Sequence, residues 1–327
     1  MIKIVIDTMG SDLGFAPIIT GTAAALTQGV DFFPILVGPA AESKAILDEA
    51  GIDPGRYELV NAQKCITNDD PPTCIFAGCE DKSMAMAYGR LKKDAECDAM
   101  LSAGNTGALL VGSICRLGLL PGLKFPVLAS MLPCNGDKML CLVDCGANVE
   151  CTADDLARFA RMGHIFSKSY CGIENPRIAL MSVGREAKKG TAMIQQAHEK
   201  IAALGLNFVG NAEGSDLVTD YADVIVSDGF SGNLLLKCAE SVGVAAARLT
   251  EKLGGDEPLA QKIRQAILDT FDFNSNGAAM FLGTKKAVVK MHGSATAHTV
   301  TASIRQTVQL VQGRFAESMA EELAKPQ

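Results

Sequence analysis

Short apolar runs alternate along the chain with stretches whose apolar residues return every three or four positions. The first pattern fits a strand and the second an amphipathic helix. Strands are predicted over Lys3–Asp7, Phe33–Val37, Tyr57–Val60, Asp98–Ser102, Val127–Leu132, Met139–Asp144, Arg177–Val183, Asn207–Val209, Asp223–Ser227 and Ala287–Lys290. Helices are predicted over Pro17–Gln28, Glu42–Ala50, Glu80–Lys93, Thr106–Leu117, Ala153–Phe166, Gly190–Leu204, Gly232–Leu253, Pro258–Phe271 and Ala297–Leu323. Several strands are unbroken apolar runs, the mark of a sheet covered on both faces. Strand–helix alternation implies βαβ units and a mainly parallel, doubly wound sheet in an α/β protein. No low-complexity linker or repeat interrupts the order, so one domain is expected over 1–327. The turn Gly254-Gly255-Asp256-Glu257-Pro258 folds the segment 232–273 into a helix hairpin.

In such sheets ligands gather at the C-terminal ends of the strands. Polar residues collect at those places here. Asp7-Thr8-Met9-Gly10-Ser11-Asp12 follows the first strand, and Ser102-Ala103-Gly104-Asn105-Thr106-Gly107 the fourth. Asp144-Cys145-Gly146-Ala147-Asn148 and Asp228-Gly229-Phe230-Ser231-Gly232-Asn233 follow two others. Each alone reads as a turn with a helix N-cap. Four of them after strands point to one polar cleft lined by backbone N–H groups that suit an anion. Lys189 precedes a helix, where a cation is unfavourable unless an anion is present, and this makes it a candidate phosphate or oxyanion ligand. Among the four histidines, His292 and His298 lie in or beside a turn, whereas His164 and His198 fall inside helical patterns and are expected to do no chemistry.

Composition narrows the function classes. Lys and Arg number 30 against 37 Asp and Glu, a formal charge of −7, which argues against a nucleic-acid partner. Hydrophobic residues make up 48% of the chain, enough for a large core, and 32 glycines suit close helix–sheet packing. The 11 cysteines lack metal-ligand spacing and sit largely in apolar runs, so they read as small buried hydrophobes in a reducing compartment. Ile2–Asp7 is a strand rather than a signal peptide, and no apolar run approaches a spanning helix. A cytoplasmic protein is expected, with neither metal nor cofactor.

No Walker, dinucleotide-binding, nucleophile-elbow or zinc-protease motif is present. The remaining inventory of backbone N–H, Asn, Ser/Thr and Lys suits holding phosphate and stabilising an oxyanion, with the nucleophile brought by the substrate.

Eight stretches in order resemble the PlsX family of phosphate acyltransferases: Asp7–Asp12, Ser102–Leu110, Asp144–Val149, Asn175–Arg177, Lys189-Gly190, Gly210–Glu213, Ser227–Asn233 and Lys290–Ser294. The resemblance departs at Ser11, where the family usually has Gly. It implies a Rossmann-like α/β/α sandwich, similar to the isocitrate and isopropylmalate dehydrogenase group, and a homodimer. The implied reaction converts an acyl-[acyl carrier protein] and inorganic phosphate to acyl phosphate and free carrier, in fatty acid and phospholipid biosynthesis. A downstream acyl-phosphate:glycerol-3-phosphate acyltransferase would consume the product. Lys189 and Asn233 match the catalytic positions. Asp7, Gly10, Ser102, Gly104, Asn105, Thr106, Gly107, Asp144, Asn148, Glu213, Asp228, Ser231, Gly232 and His292 are expected to bind phosphate or substrate. Carrier docking is expected on Arg248, Lys252, Lys262 and Arg264, or on Lys285 and Lys286. Family members touch the inner membrane face through an apolar hairpin tip, but the tip here is polar and acidic, so membrane contact is peripheral at most. The alternatives are a phosphotransacetylase-type enzyme using acyl-CoA and a non-enzymatic phosphate or acyl-chain binding protein.

Overall fold

The computed structural model describes residues 1–134, 138–255, 257–271 and 278–324. Its elements in chain order begin β1 (Ile2–Asp7), α1 (Ala16–Thr27), β2 (Phe32–Gly38), α2 (Ala40–Glu49), β3 (Glu58–Asn61), α3 (Ser83–Lys93), β4 (Cys97–Ser102) and α4 (Thr106–Gly112). There follow β5 (Val127–Pro133), β6 (Met139–Val143), α5 (Ala153–Cys171), β7 (Ile178–Met181), α6 (Ala192–Ala202), β8 (Phe208–Ala212) and β9 (Val224–Val226). The chain continues with α7 (Gly229–Gly254), α8 (Pro258–Phe271), β10 (Ala279–Leu282), β11 (Ala287–Lys290), α9 (Ala297–Gln312) and α10 (Phe315–Ala324). The expected α/β class and strand–helix alternation are both observed.

Contacts divide the chain into two compact units, Met1–Pro126 with Gly277–Pro326, and Val127–Asn276. No Pro- or Ser-rich linker marks this division, because the first unit is discontinuous and the chain leaves and re-enters it beside strands.

In the first unit the strands run in the order β3-β2-β1-β4-β11-β10. All are parallel except β10, which is antiparallel to β11. Register sets Asp7 opposite Ser102 and Ser102 opposite Lys290, so the C-terminal ends of three neighbouring strands carry three polar side chains in a row. Helices α1 and α9 pack closely, with Thr301 Oγ1 donating to the Gly21 carbonyl at 2.9 Å.

In the second unit the order is β5-β6-β9-β7-β8, with β5 antiparallel to β6 and the rest parallel. Val224–Val226 and Ile178–Met181 are buried along their whole length, as unbroken apolar runs require. Each Val, Ile, Leu or Met side chain among them contributes about 1.5–3 kcal/mol of burial. Helices α7 and α8 form the expected hairpin, joined by an Arg264–Glu251 ion pair of 3.4 Å. Helix α7 starts at Gly229, capped by Asp228, rather than at Gly232. Asp256 and residues 272–273 of the expected hairpin lie outside the described residues.

Two elements differ from the sequence pattern. Strand β10 was not anticipated, because Ala-Met-Phe-Leu contains no β-branched residue and its period is too short to read. The single helix expected over Ala297–Leu323 is split at Gly313 and Arg314, where Arg314 takes a left-handed φ of 49°.

Candidate active site

The first polar turn belongs to the first unit. Asp7 ends β1 and is buried. Its carboxylate accepts from Ser102 Oγ at 2.8 Å and from the Met9 N–H at 3.3 Å. Burial pushes its pKa up to about 6, with the Ser83 and Ser102 hydroxyls, the Met9 N–H and the Lys290 charge offsetting part of the penalty. Ser102 Oγ in turn accepts from the Gly104 N–H at 3.0 Å. Gly10 sits at φ +81°, and a Cβ there would lie 2.9 Å from Gly104 Cα, so two glycines let the loops touch. Ser11 Oγ and the Asp12 N–H both donate to the Gly293 carbonyl at 2.8 Å, which brings the His292 turn to the same place. The Ser294 N–H donates to His292 Nδ1 at 3.2 Å, leaving the proton of the neutral ring on Nε2.

Asn105 is the N-cap of α4, accepting from the Ala108 N–H at 2.9 Å and donating to the Thr67 carbonyl at 3.2 Å. Both ends of its amide are therefore engaged in the fold. Thr106 Oγ1 has no hydrogen-bond partner among the described residues, and Gly107 is the next residue of the first helical turn. Lys290, named above in the Lys290–Ser294 stretch but not among the expected site residues, is a further cation here. Its half-buried ammonium donates to the carbonyls of Ala103 and Met291, one strand from Ser102. The signal was available: it is the last residue of a predicted strand.

The second polar turn belongs to the second unit. Asp144 follows β6 and is buried. Its Oδ1 accepts from the N–H groups of Leu128, Gly146 and Ala147 at 3.2, 3.1 and 3.0 Å. Its Oδ2 accepts from Asn148 N and Nδ2 at 2.7 and 2.6 Å. Burial raises its pKa, and these donors restrain the rise. The Gly229 N–H then donates to the Asn148 carbonyl at 2.7 Å, tying this turn to the start of α7. A Cβ on Gly232 would fall 1.9 Å from the Asp144 carbonyl oxygen, so no other residue fits there.

Several residues expected to hold phosphate are occupied by the fold. Asp228 caps α7, accepting from Ser231 N at 2.7 Å and Ser231 Oγ at 2.9 Å. The Gly232 N–H donates to the Asp228 carbonyl at 2.9 Å. Glu213 and Asp216 form a capping box on the short helical turn after β8. The carboxylates thus order backbone instead of meeting an anion, which their charge would repel. By contrast, Lys189 and Asn233 are both exposed, and neither side chain has a hydrogen bond or ion pair among the described residues. With the Thr106 hydroxyl, these are side-chain groups of the expected site left open for a ligand. The structure brings Asp7, Gly10, Ser102, Gly104, Asn105 and His292 together in the first unit, and Asp144, Asn148, Asp228, Ser231, Gly232 and Asn233 in the second.

One further expectation changes. Lys286 is no docking cation, because its ammonium donates to the carbonyls of Leu91, Asp94 and Cys97 at 2.9, 2.9 and 2.6 Å, near the C-terminus of α3. The hairpin turn, though polar, is flanked by leucines, Leu253 at 78% and Leu259 at 68% exposure. Among the described residues there is no group of three or more His, Cys, Asp or Glu that could hold a metal ion, and no helix is long and apolar enough to cross a membrane.

The model of the fatty acid synthesis protein family matches residues 2–318. The chain belongs to that family. A relative from Clostridioides difficile, named phosphate acyltransferase, is 34% identical over 332 residues, covering 99% of this chain and 96% of its own. Among solved structures, a phosphotransacetylase from Streptococcus pyogenes superposes with a TM-score of 0.64 at 18% identity, covering 95% of this chain and 94% of its own. A branched-chain phosphotransacylase from Enterococcus faecalis gives 0.60 at 17% identity, covering 95% and 99%. These two likenesses establish the fold, and the family members with the related sequence are acyltransferases.

Proposed function

We propose that the chain is a phosphate acyltransferase that moves an acyl group from acyl carrier protein to inorganic phosphate. The observation that carries this reading is the end-to-end relatedness to a phosphate acyltransferase, 34% identity over 99% of the chain. A phosphate oxygen attacks the thioester carbonyl, the C–S bond breaks, and the carrier leaves as a thiolate that takes up a proton. The products are acyl phosphate and free carrier. Negative charge develops on the carbonyl oxygen, and the unpaired Lys189 ammonium and Asn233 amide are suited to stabilise it. Asp144 and Asp228 act one step away, by fixing the backbone from which Asn233 projects.

The test is incubation with acyl-carrier protein plus phosphate, and separately with acyl-CoA plus phosphate, trapping acyl phosphate as its hydroxamate. Hydroxamate from the carrier-protein arm is expected. Its formation from acyl-CoA alone would replace the carrier, and its absence from both arms would overturn the reading. Lys189→Ala is expected to lose about 2.7–4 kcal/mol of transition-state stabilisation, on the order of a hundred- to a thousand-fold in turnover, with the fold intact. The homodimer, the acyl-phosphate-consuming partner and peripheral membrane contact belong to the same reading.

A further inference from the structure

The loop that carries Lys189 is held by side chains that the reaction scheme does not use. Glu186 to Lys189 form a tight turn in which the Lys189 N–H donates to the Glu186 carbonyl at 2.9 Å. The same carbonyl accepts a second bond, from Asn211 Nδ2 at 2.9 Å. Asn211 ends near the C-terminus of β8 and is completely buried. Because a carbonyl only accepts, the Asn211 amide nitrogen must face Glu186, and its oxygen then faces outward to His198. His198 Nδ1 lies 2.9 Å from that oxygen, so this ring nitrogen carries the proton. The ring is itself held edge-on against Phe208, with centroids 4.9 Å apart at 71°. On the other side of the turn, Gln195 Nε2 donates to the carbonyls of Lys188 and Gly190 at 2.9 and 3.2 Å. At its start, Arg185 reaches Asp216 at 2.5 Å and lies over the Tyr221 ring at 4.5 Å.

We infer that His198 and Asn211 are positioning residues for the reaction: the chain His198–Asn211–Glu186 carbonyl sets where the Lys189 side chain leaves the backbone. The inference rests on the reading of Lys189 as the oxyanion-stabilising cation. Helix α6 therefore supplies, through His198 and Gln195, two of the fixings of a loop that precedes it. A small displacement of such a group is costly, since misplacement by about 1 Å reduces rate about a hundred-fold.

Two substitutions separate the hydrogen bond from the packing of the ring. His198→Asn keeps a donor near Nδ1 and removes the ring, whereas His198→Phe keeps the ring and removes the donor. With acyl-carrier protein and phosphate as substrates, His198→Phe is expected to lower kcat about ten- to a hundred-fold with KM for phosphate little changed. His198→Asn is expected to stay within about three-fold of the parent. Gln195→Met, at the partly exposed side of the turn, gives an independent loss of several-fold if His198→Phe fails to fold. The double variant Lys189→Ala/His198→Phe is expected to match Lys189→Ala alone, because His198 acts only through that lysine. Parental turnover in His198→Phe, or equal losses in His198→Phe and His198→Asn, overturns the inference while leaving the role of Lys189 standing. Multiplied losses in the double variant do the same. Parental turnover in Lys189→Ala overturns the reading of Lys189 and the inference together, and a parent protein that forms no hydroxamate overturns the proposed activity itself.

Discussion

Two buried aspartates at the C-terminal ends of strands, Asp7 closing β1 and Asp144 directly after β6, behave differently. Asp144 in the second unit accepts five hydrogen bonds from four residues, which fill both its oxygens. Asp7 in the first unit accepts one hydroxyl bond and one long backbone bond, and its pKa stands at about 6. Burial raises both and donors offset it at both, but Asp144 accepts more bonds, four of the five from backbone N–H groups. A saturated carboxylate is a fixed part of the backbone scaffold. An under-supplied one is a titrating group whose charge is balanced in part by a neighbouring lysine. In sequence the two look alike, an Asp at a strand end with a Gly two or three residues on.

The largest expected break in this comparison is Asp144→Asn. The amide would turn hydrogens toward N–H donors, and the expected loss is about 3–5 kcal/mol of unfolding free energy, measured by chemical denaturation. A loss below 1 kcal/mol would remove the distinction between the two sites.

Next comes the pH dependence of Asp7, read as the difference in stability between the parent and Asp7→Asn. The folded pKa is about 6 against 3.8 for an exposed aspartate, so the folded state holds the extra proton between those values. The stability it contributes is full below about pH 4 and is lost as pH rises through about 6, on the order of 3 kcal/mol in all. Relative to the variant, the parent should therefore weaken across that window. A flat difference between pH 4 and 7 would show that Asp7 does not titrate there.

The smallest effect is expected from Ser102→Ala, about 1–2 kcal/mol, because Asp7 and the Gly104 N–H each lose one partner. It should also move the Asp7 transition upward in pH, which separates it from a simple packing defect.

Legibility in the sequence followed the length and the regularity of each signal. Unbroken apolar runs such as Val224–Val226 and long amphipathic stretches such as Ala153–Cys171 announce themselves. Strand β10 and the break at Arg314 depend on one short run and one backbone angle, which no periodicity encodes. For the site, the sequence placed the polar turns correctly after strands but not the duty of each side chain within them. Asn105, Asp228 and Glu213 have the chemistry of ligands and the positions of caps, while Asp144 ties down the N–H groups of its own turn, and both duties satisfy backbone N–H groups that burial would otherwise strand. Lys286 shows the same limit for a cation: its charge suggested a surface, and the free carbonyls near the end of α3 claimed it.

The discontinuity of the first unit bears on the order in which the protein is made. Val127–Asn276 is a continuous segment, complete before the ribosome has issued the last part of the chain. The first unit has β4 paired on one side only until β11 arrives, some 190 residues later in register with it. Until then β4 lacks that partner, and an unpaired strand edge is the kind of surface through which newly made chains pair with one another. The same late segment delivers Lys290 and His292, so the charge beside Asp7 is assembled last.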